Sequence, residues 1–291
     1  MTIERPVRRT SPIRRIFAVI IAVVITPLAL WALFVGGADV YRAATQHSGV
    51  NGIGLLFAFA GIALLLIVVQ TCRVSSLGLG IVSLVLTVSG VVVLVWPAGE
   101  TGTVRFFRGL SPELASGAEQ WMSAGLVVAL GLVLWGAAVA ARIARRATEV
   151  SSASALRGVL SIVFAAIGGV LGLGLLWGGG ALVDGATQTA VDTGAIGVVS
   201  AVIGALVLAG VALTAVISSA GIFVIGALIF VVGALAFVFE GIGRAMSDAA
   251  GFIGPRVADG AYTSYELGFV AMLGAVLLAT AIVVRRNRLA R

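Results

Sequence analysis

The chain is expected to be an all-α integral membrane protein of eight transmembrane helices, arranged as two tandem four-helix repeats of the same topology. Three observations predict this. The residues are too apolar to clothe a water-soluble globule, eight stretches are long enough to cross a bilayer, and loop residues of the first half recur in order in the second. Of 291 residues, 60% are hydrophobic and 11% charged, and the mean hydropathy is +1.17. A soluble domain carries about 25% charged residues, so the solvent for most of this chain is lipid.

A helix crosses a bilayer with about 20 mostly apolar residues. The candidates run 16–36, 53–72, 76–96, 124–142, 158–180, 195–217, 220–239 and 266–284, and none has an ionisable residue in its interior. The first span opens behind Arg14-Arg15. Its apolar run exceeds the roughly 7–15 residues of a signal-peptide core, so it is read as uncleaved. Pro27 lies inside it and should kink it, with Thr26 helping to satisfy freed backbone groups. The second span ends at Arg73, and Ser75-Ser76 forms the tight inner turn before the third, which closes at Trp96. The fourth ends at Arg142 and the fifth opens at Arg157. Gly178-Gly179-Gly180 ends the fifth as a helix terminus rather than a phosphate cradle. Ser218-Ser219 precedes the seventh, and Arg285 closes the eighth.

Direction follows from arginine, since the chain has no lysine. With the N-terminus inside, the inner segments hold fourteen arginines and two acids, and the outer segments five arginines and ten acids. This places both termini in the cytoplasm. The net charge of +7 thus reflects orientation in a membrane, not nucleic-acid binding. The Ala, Gly, Val and Arg bias points to a bacterial source, hence to the plasma (inner) membrane.

Self-similarity runs along the chain at a near-constant offset, just under half its length. Arg15 matches Arg157, Thr45-Gln46 matches Thr187-Gln188, and Ser75-Ser76 matches Ser218-Ser219. Pro112 matches Pro255, Gly117-Ala118 matches Gly260-Ala261, and Arg142 matches Arg285. The halves are therefore taken as 1–147 and 148–291. Each has an even number of spans, so they should be related by a pseudo-two-fold along the membrane normal. Small residues at four-residue spacing mark packing faces: Gly197, Ala201, Ala205 and Ala209 on span 6, and Gly168-Gly172 and Gly174-Gly178 on span 5. Spans 5 and 6 are expected near the centre of their half. Trp31, Trp96, Trp121 and Trp177 are expected at the membrane interfaces.

Catalytic chemistry finds no motif. There is no G-x-S-x-G with a plausible His partner and no lysine for a P-loop. His47 is the one histidine, too few for a catalytic zinc. Asp184 and Asp192 flank Thr187-Gln188 in an ordinary acidic outer loop. Cys72 is the one cysteine, so no intrachain disulfide forms. Ser83, Thr87, Ser89, Ser161, Ser200 and Thr214 need only a carbonyl one turn back. Gln70 is the least easily dismissed polar residue but lies near the inner end of its span. No catalytic, cofactor-binding or metal-ligating residue is assigned, and no cofactor.

Two outer loops, 97–123 and 240–265, are longer than a connection needs. The run Val104–Leu110 and the helical spacing of Ile242, Met246, Ala249, Ala250 and Ile253 suit short amphipathic helices at the outer interface. Arg105 and Asp248 hold equivalent positions with opposite charge and could pair. The expected function is that of a non-enzymatic accessory or scaffold protein whose partners are the lipid bilayer and other membrane proteins. The alternative is a transporter or channel for an apolar, lipidic or uncharged substrate bound between the halves. A lipid-processing enzyme using Glu100, Glu113, Glu240, Asp248 or Asp259 ranks last, because no motif supports it.

Overall fold

In the computed structural model, residues 11–46, 49, 51–146, 155–189 and 194–289 are described, with the side chains of 97–101, 155 and 184–189 left aside. His47 and Asp192 lie outside the described residues, as do the side chains of Glu100 and Asp184. The described chain is helical, in twelve α-helices: α1 (Pro12–Thr45), α2 (Gly52–Gln70), α3 (Leu77–Val95), α4 (Pro97–Leu110), α5 (Pro112–Ser123), α6 (Leu126–Ala144), α7 (Ala155–Thr189), α8 (Gly194–Leu213), α9 (Ser219–Val238), α10 (Glu240–Ala250), α11 (Pro255–Glu266) and α12 (Phe269–Leu289). Eight of them, α1, α2, α3, α6, α7, α8, α9 and α12, are long and apolar enough to cross a membrane. They correspond to the eight expected spans. The other four fill the two long segments, between α3 and α6 and between α9 and α12, that were expected as outer loops.

Local chemistry sets the helix starts. Pro12 opens α1 with its fixed backbone angle, and the Ser11 hydroxyl accepts the Arg14 amide. Ser111 and Pro112 do the same for α5, where Ser111 accepts from Leu114. Asn51 caps α2 through the Gly54 amide at 3.0 Å. Gly125 and Gly268, each at φ 72°, turn the chain from α5 into α6 and from α11 into α12. A side chain is strained in that left-handed region. In α1 the hydroxyl of Thr26 donates to the Ala22 carbonyl at 2.6 Å, one turn back and beside Pro27.

Helices α1 and α7 run past the expected spans, to Thr45 and Thr189, so Asp39, Tyr41 and Arg42 stand on helix rather than in a loop. The interior also differs from expectation. Helices α6 and α12, spans 4 and 8, are the most buried, at 72% and 78% of their apolar windows, against 33% for α7 and 44% for α8. Spans 5 and 6 therefore flank the centre instead of forming it. On α7, Gly168 and Gly172 do press on α8, whereas Gly174 faces open space and Gly178 makes ordinary contact with Val257. All four small residues of span 6 are buried. Trp121 and Trp177 are corrected too: both are buried in the core, at 0% and 8% exposure, while Trp31 and Trp96 are exposed.

The same contacts recur at the offset of the sequence repeat. Gly36 of α1 abuts the backbone of Gly54 and Ala58 on α2, and Gly179 of α7 abuts Gly197 and Ala201 on α8. Gly117 lies against the Phe34 carbonyl, and Gly260 against the Trp177 carbonyl. Gly131 lies against Ser83 and Thr87, and Gly274 against Ile229 and Phe230. Two contacts join the halves reciprocally: Gly37 meets Leu267, and Gly180 meets Ala124. Just past the C-terminal end of α6, Arg145 donates to the Cys72 carbonyl (2.6 Å) and the Ser76 hydroxyl (2.7 Å). Arg288 donates to the Ala215 carbonyl (3.2 Å) and to Val216. Each guanidinium holds the short 3-10 turn between two spans, Thr71–Arg73 or Thr214–Val216.

Candidate functional site

A cavity of about 390 Å³ opens where α1, α5, α7 and α11 meet. Glycine builds it. Gly180 and Gly260 bring backbones together where a β-carbon would lie within hard contact of Ala124 and Trp177, and both glycines line the cavity. The polar wall comes from Tyr41 on α1, Gln120 and Ser123 on α5, and Asp259, Thr263 and Ser264 on α11. Gln120 and Thr263 are related by the repeat offset, one from each half.

Three of these wall residues have buried polar atoms without a partner: Gln120 Oε1, Trp177 Nε1 and Ser264 Oγ. The first accepts, the second donates and the third does both. An unmet buried polar group costs about 1–3 kcal/mol, and three such groups belong to residues that line this one cavity. Asp259 adds one exposed carboxylate at the wall. Below this layer the seam is filled by buried apolar residues of α6 and α12, among them Leu130, Leu134, Leu273 and Leu277.

The acids named from sequence do not assemble. Of Glu113, Glu240, Asp248 and Asp259, only Asp259 reaches the cavity. Glu113 is held by the Ser111 hydroxyl (2.7 Å), which keeps its carboxyl below the usual range. Glu240 pairs with Arg244 at 2.5 Å. The pairing expected between Arg105 and Asp248 does not form; Arg42 pairs with Asp39 and Arg244 with Glu240. No group of three His, Cys, Asp or Glu side chains comes together among the described residues. Most span hydroxyls bond to a carbonyl one turn back, as for Ser83, Thr87, Ser89 and Thr214. Two instead tie helices together, Ser161 to the Ser218 carbonyl and Ser200 to the Leu175 carbonyl.

The carboxylate that sequence reasoning passed over is Glu266. It stands at the end of α11, just before α12, and is 1% exposed. Its Oε1 is buried without a partner in space left by Gly243. Burial, and then the charge of Glu240, push its pKa up to about 7, with Arg244 pulling it down. Position at a span edge hid it, because such an acid reads as solvated. The cavity residues were hidden for a related reason. Gln120 and Ser264 lie in loops by hydropathy, and Trp177 suits a membrane interface as well as a cavity wall. Their signal was adjacency to the repeated Gly117-Ala118 and Gly260-Ala261 pairs. Compared with known proteins, the chain matches no family model, no curated sequence and no solved structure.

Proposed function

We propose that this is a non-enzymatic integral membrane protein that binds a small hydroxyl-bearing solute from the outer side of a bacterial plasma membrane. Its eight spans form two tandem halves, 1–147 and 148–291, of the same topology and related by a pseudo-two-fold along the membrane normal. Both termini are cytoplasmic. The glycine and arginine contacts of the two halves share one offset, which supports the duplication. The reciprocal contacts Gly37–Leu267 and Gly180–Ala124 have the form an axis between the halves requires.

One observation supports the function: three residues that line the seam cavity, Gln120, Trp177 and Ser264, each hold a buried polar atom with no partner, and a turn of the side chain would bring it to a ligand there. A hydroxyl both donates and accepts, so one polyol can meet Trp177 Nε1–H and Gln120 Oε1 together. A bare cation would leave the indole donor unmet, and an anion would leave the amide oxygen unmet. In this reading the accessory role is that of a receptor, which passes occupancy of the cavity to other membrane proteins through its helices.

The test is thermal unfolding of the purified protein with glycerol, a hexose, choline or phosphate added. A polyol should raise the midpoint, and Gln120→Leu should remove that shift. Equal shifts in wild type and Gln120→Leu, or a response to choline or phosphate alone, would overturn the reading. A carrier for uncharged solutes is the second reading, favoured by the place of the cavity on the seam. It requires the packed α6–α12 contact to open, so uptake of the same polyol into proteoliposomes separates carrier from receptor.

A further inference from the structure

A second, apolar cavity of about 420 Å³ lies between α1 and α3. Its walls include Pro27, Trp31, Val82 and Val85, and Phe107 and Leu110 of α4 complete it. Val82 apart, these residues stand at the rim: Trp31, Val85 and Leu110 are 42%, 61% and 65% exposed. The slot is therefore open sideways, between two helices of bilayer-crossing length. No polar side chain but Thr26 faces it, and the Thr26 hydroxyl is spent on the Ala22 carbonyl. The slot offers a ligand no hydrogen bond and selects for hydrocarbon.

Helix α4 supplies the other half of the argument. Val104 on it is buried and Phe107 closes the slot. One position further along, Arg105 and Arg108 are both exposed, on one flank at i, i+3 spacing. Neither takes part in the described ion pairs, which join Arg42 to Asp39 and Arg244 to Glu240. Two arginines beside the end of an apolar slot match the phosphate and acyl chain of one lipid molecule. At the offset-related positions of the second half stand Asp248 and Gly251, so that half lacks this arginine pair.

We infer that the slot between α1, α3 and α4 holds one acyl chain of an anionic outer-leaflet phospholipid whose phosphate is met by Arg105 and Arg108. The inference rests on the membrane reading above but not on the seam cavity. A lipid so placed would pin α4 against the first half only and make the two halves unequal.

The test uses the full chain, delipidated in detergent, with phosphatidylglycerol, phosphatidylcholine or inorganic phosphate added back and bound lipid counted by native mass spectrometry. Wild type should retain one phosphatidylglycerol at least tenfold more tightly than phosphatidylcholine, and phosphate alone should not compete. Val85→Trp fills the slot from its exposed rim and should weaken retention of both lipids tenfold or more. Arg105→Gln with Arg108→Gln should remove the preference for the anionic lipid while a chain still binds. Should Val85→Trp unfold, Leu110→Trp fills the slot from α4 and stands in for it. Undiminished retention in a folded slot-filling variant, or competition by phosphate alone, overturns the inference. Extraction of the chain by alkaline carbonate would instead overturn the membrane reading itself.

Discussion

At the scale of single residues, Glu266 and two glycines make the sharpest demands. Burial leaves the folded Glu266 carboxyl protonated to about pH 7, against the ordinary 4.5. Below that ordinary value both folded and unfolded chains hold the proton. As pH rises from about 4.5 to 7 the unfolded chain gives it up first, so stability falls across that window and stays low above it. The groups facing Glu266 are Glu240 and Tyr262, with Arg244 in opposition. Glu266→Gln should therefore raise the unfolding midpoint at pH 8, by roughly 1–3 kcal/mol in stability, and flatten its fall across the window. Thermal scans in detergent at both ends of the window check this; an unchanged profile would show the carboxyl to be solvated. Gly117 and Gly260 carry the second prediction. A β-carbon on either overlaps the carbonyl of Phe34 or Trp177, while one on Gly109 or Gly241 meets nothing within 4 Å. Gly117→Ala and Gly260→Ala should each cost about 1–3 kcal/mol, with Gly109→Ala and Gly241→Ala near neutral in the same unfolding assay.

At the scale of elements, the guanidinium groups of Arg145 and Arg288 hold the two 3-10 turns, Thr71–Arg73 and Thr214–Val216. Arg145 is partly desolvated there, which lowers its pKa from the usual arginine value. Arg145→Met strands the Cys72 carbonyl and the Ser76 hydroxyl, so it should destabilise by about 1.5–3 kcal/mol, the range for bonds to a charged group. Arg146→Met makes the control, since Arg146 is exposed; equal losses in the two variants would show the clamp to be inert. The number of long apolar helices was legible in hydropathy, and most of their ends in Arg, Ser and Pro at the turns, but α1 and α7 overran their expected ends. The order of burial was not legible. An apolar residue faces lipid as readily as protein, so Ala-rich α6 and Val-rich α3 both read as apolar spans, yet only α6 is central. The small-residue pattern located two true faces, Gly197 to Ala209 on α8 and Gly168-Gly172 on α7, and one that carries no packing, at Gly174 of α7. Outer helices were expected, but their pairing into hairpins was not, because Ser111-Pro112 and Gly254-Pro255 break each into two. On α10, Ile242 and Met246 turn outward while Gly243 and Ser247 are buried. That face suits the bilayer surface.

At the scale of the whole molecule, glycine contacts of residues 1–147 recur in 148–291, whereas the Arg105 and Arg108 pair does not. Gly37–Leu267 ties α1 to the turn before α12, Gly180–Ala124 ties α7 to the turn before α6, and α6 and α12 are the most buried long helices. On the proposed topology the polar cavity faces the outer medium, with Asp259 at its wall. An outward-facing site of this kind requires that α5 and α11 lie outside and Arg145, Arg146 and Arg288 inside. Labelling of single cysteines by a membrane-impermeant maleimide on intact spheroplasts tests that arrangement most directly, in a Cys72→Ala background. Asp259→Cys and Thr45→Cys should react at once, and Arg146→Cys only after the membrane is opened. Protection of Asp259→Cys, or reaction of Arg146→Cys in sealed spheroplasts, would contradict the account.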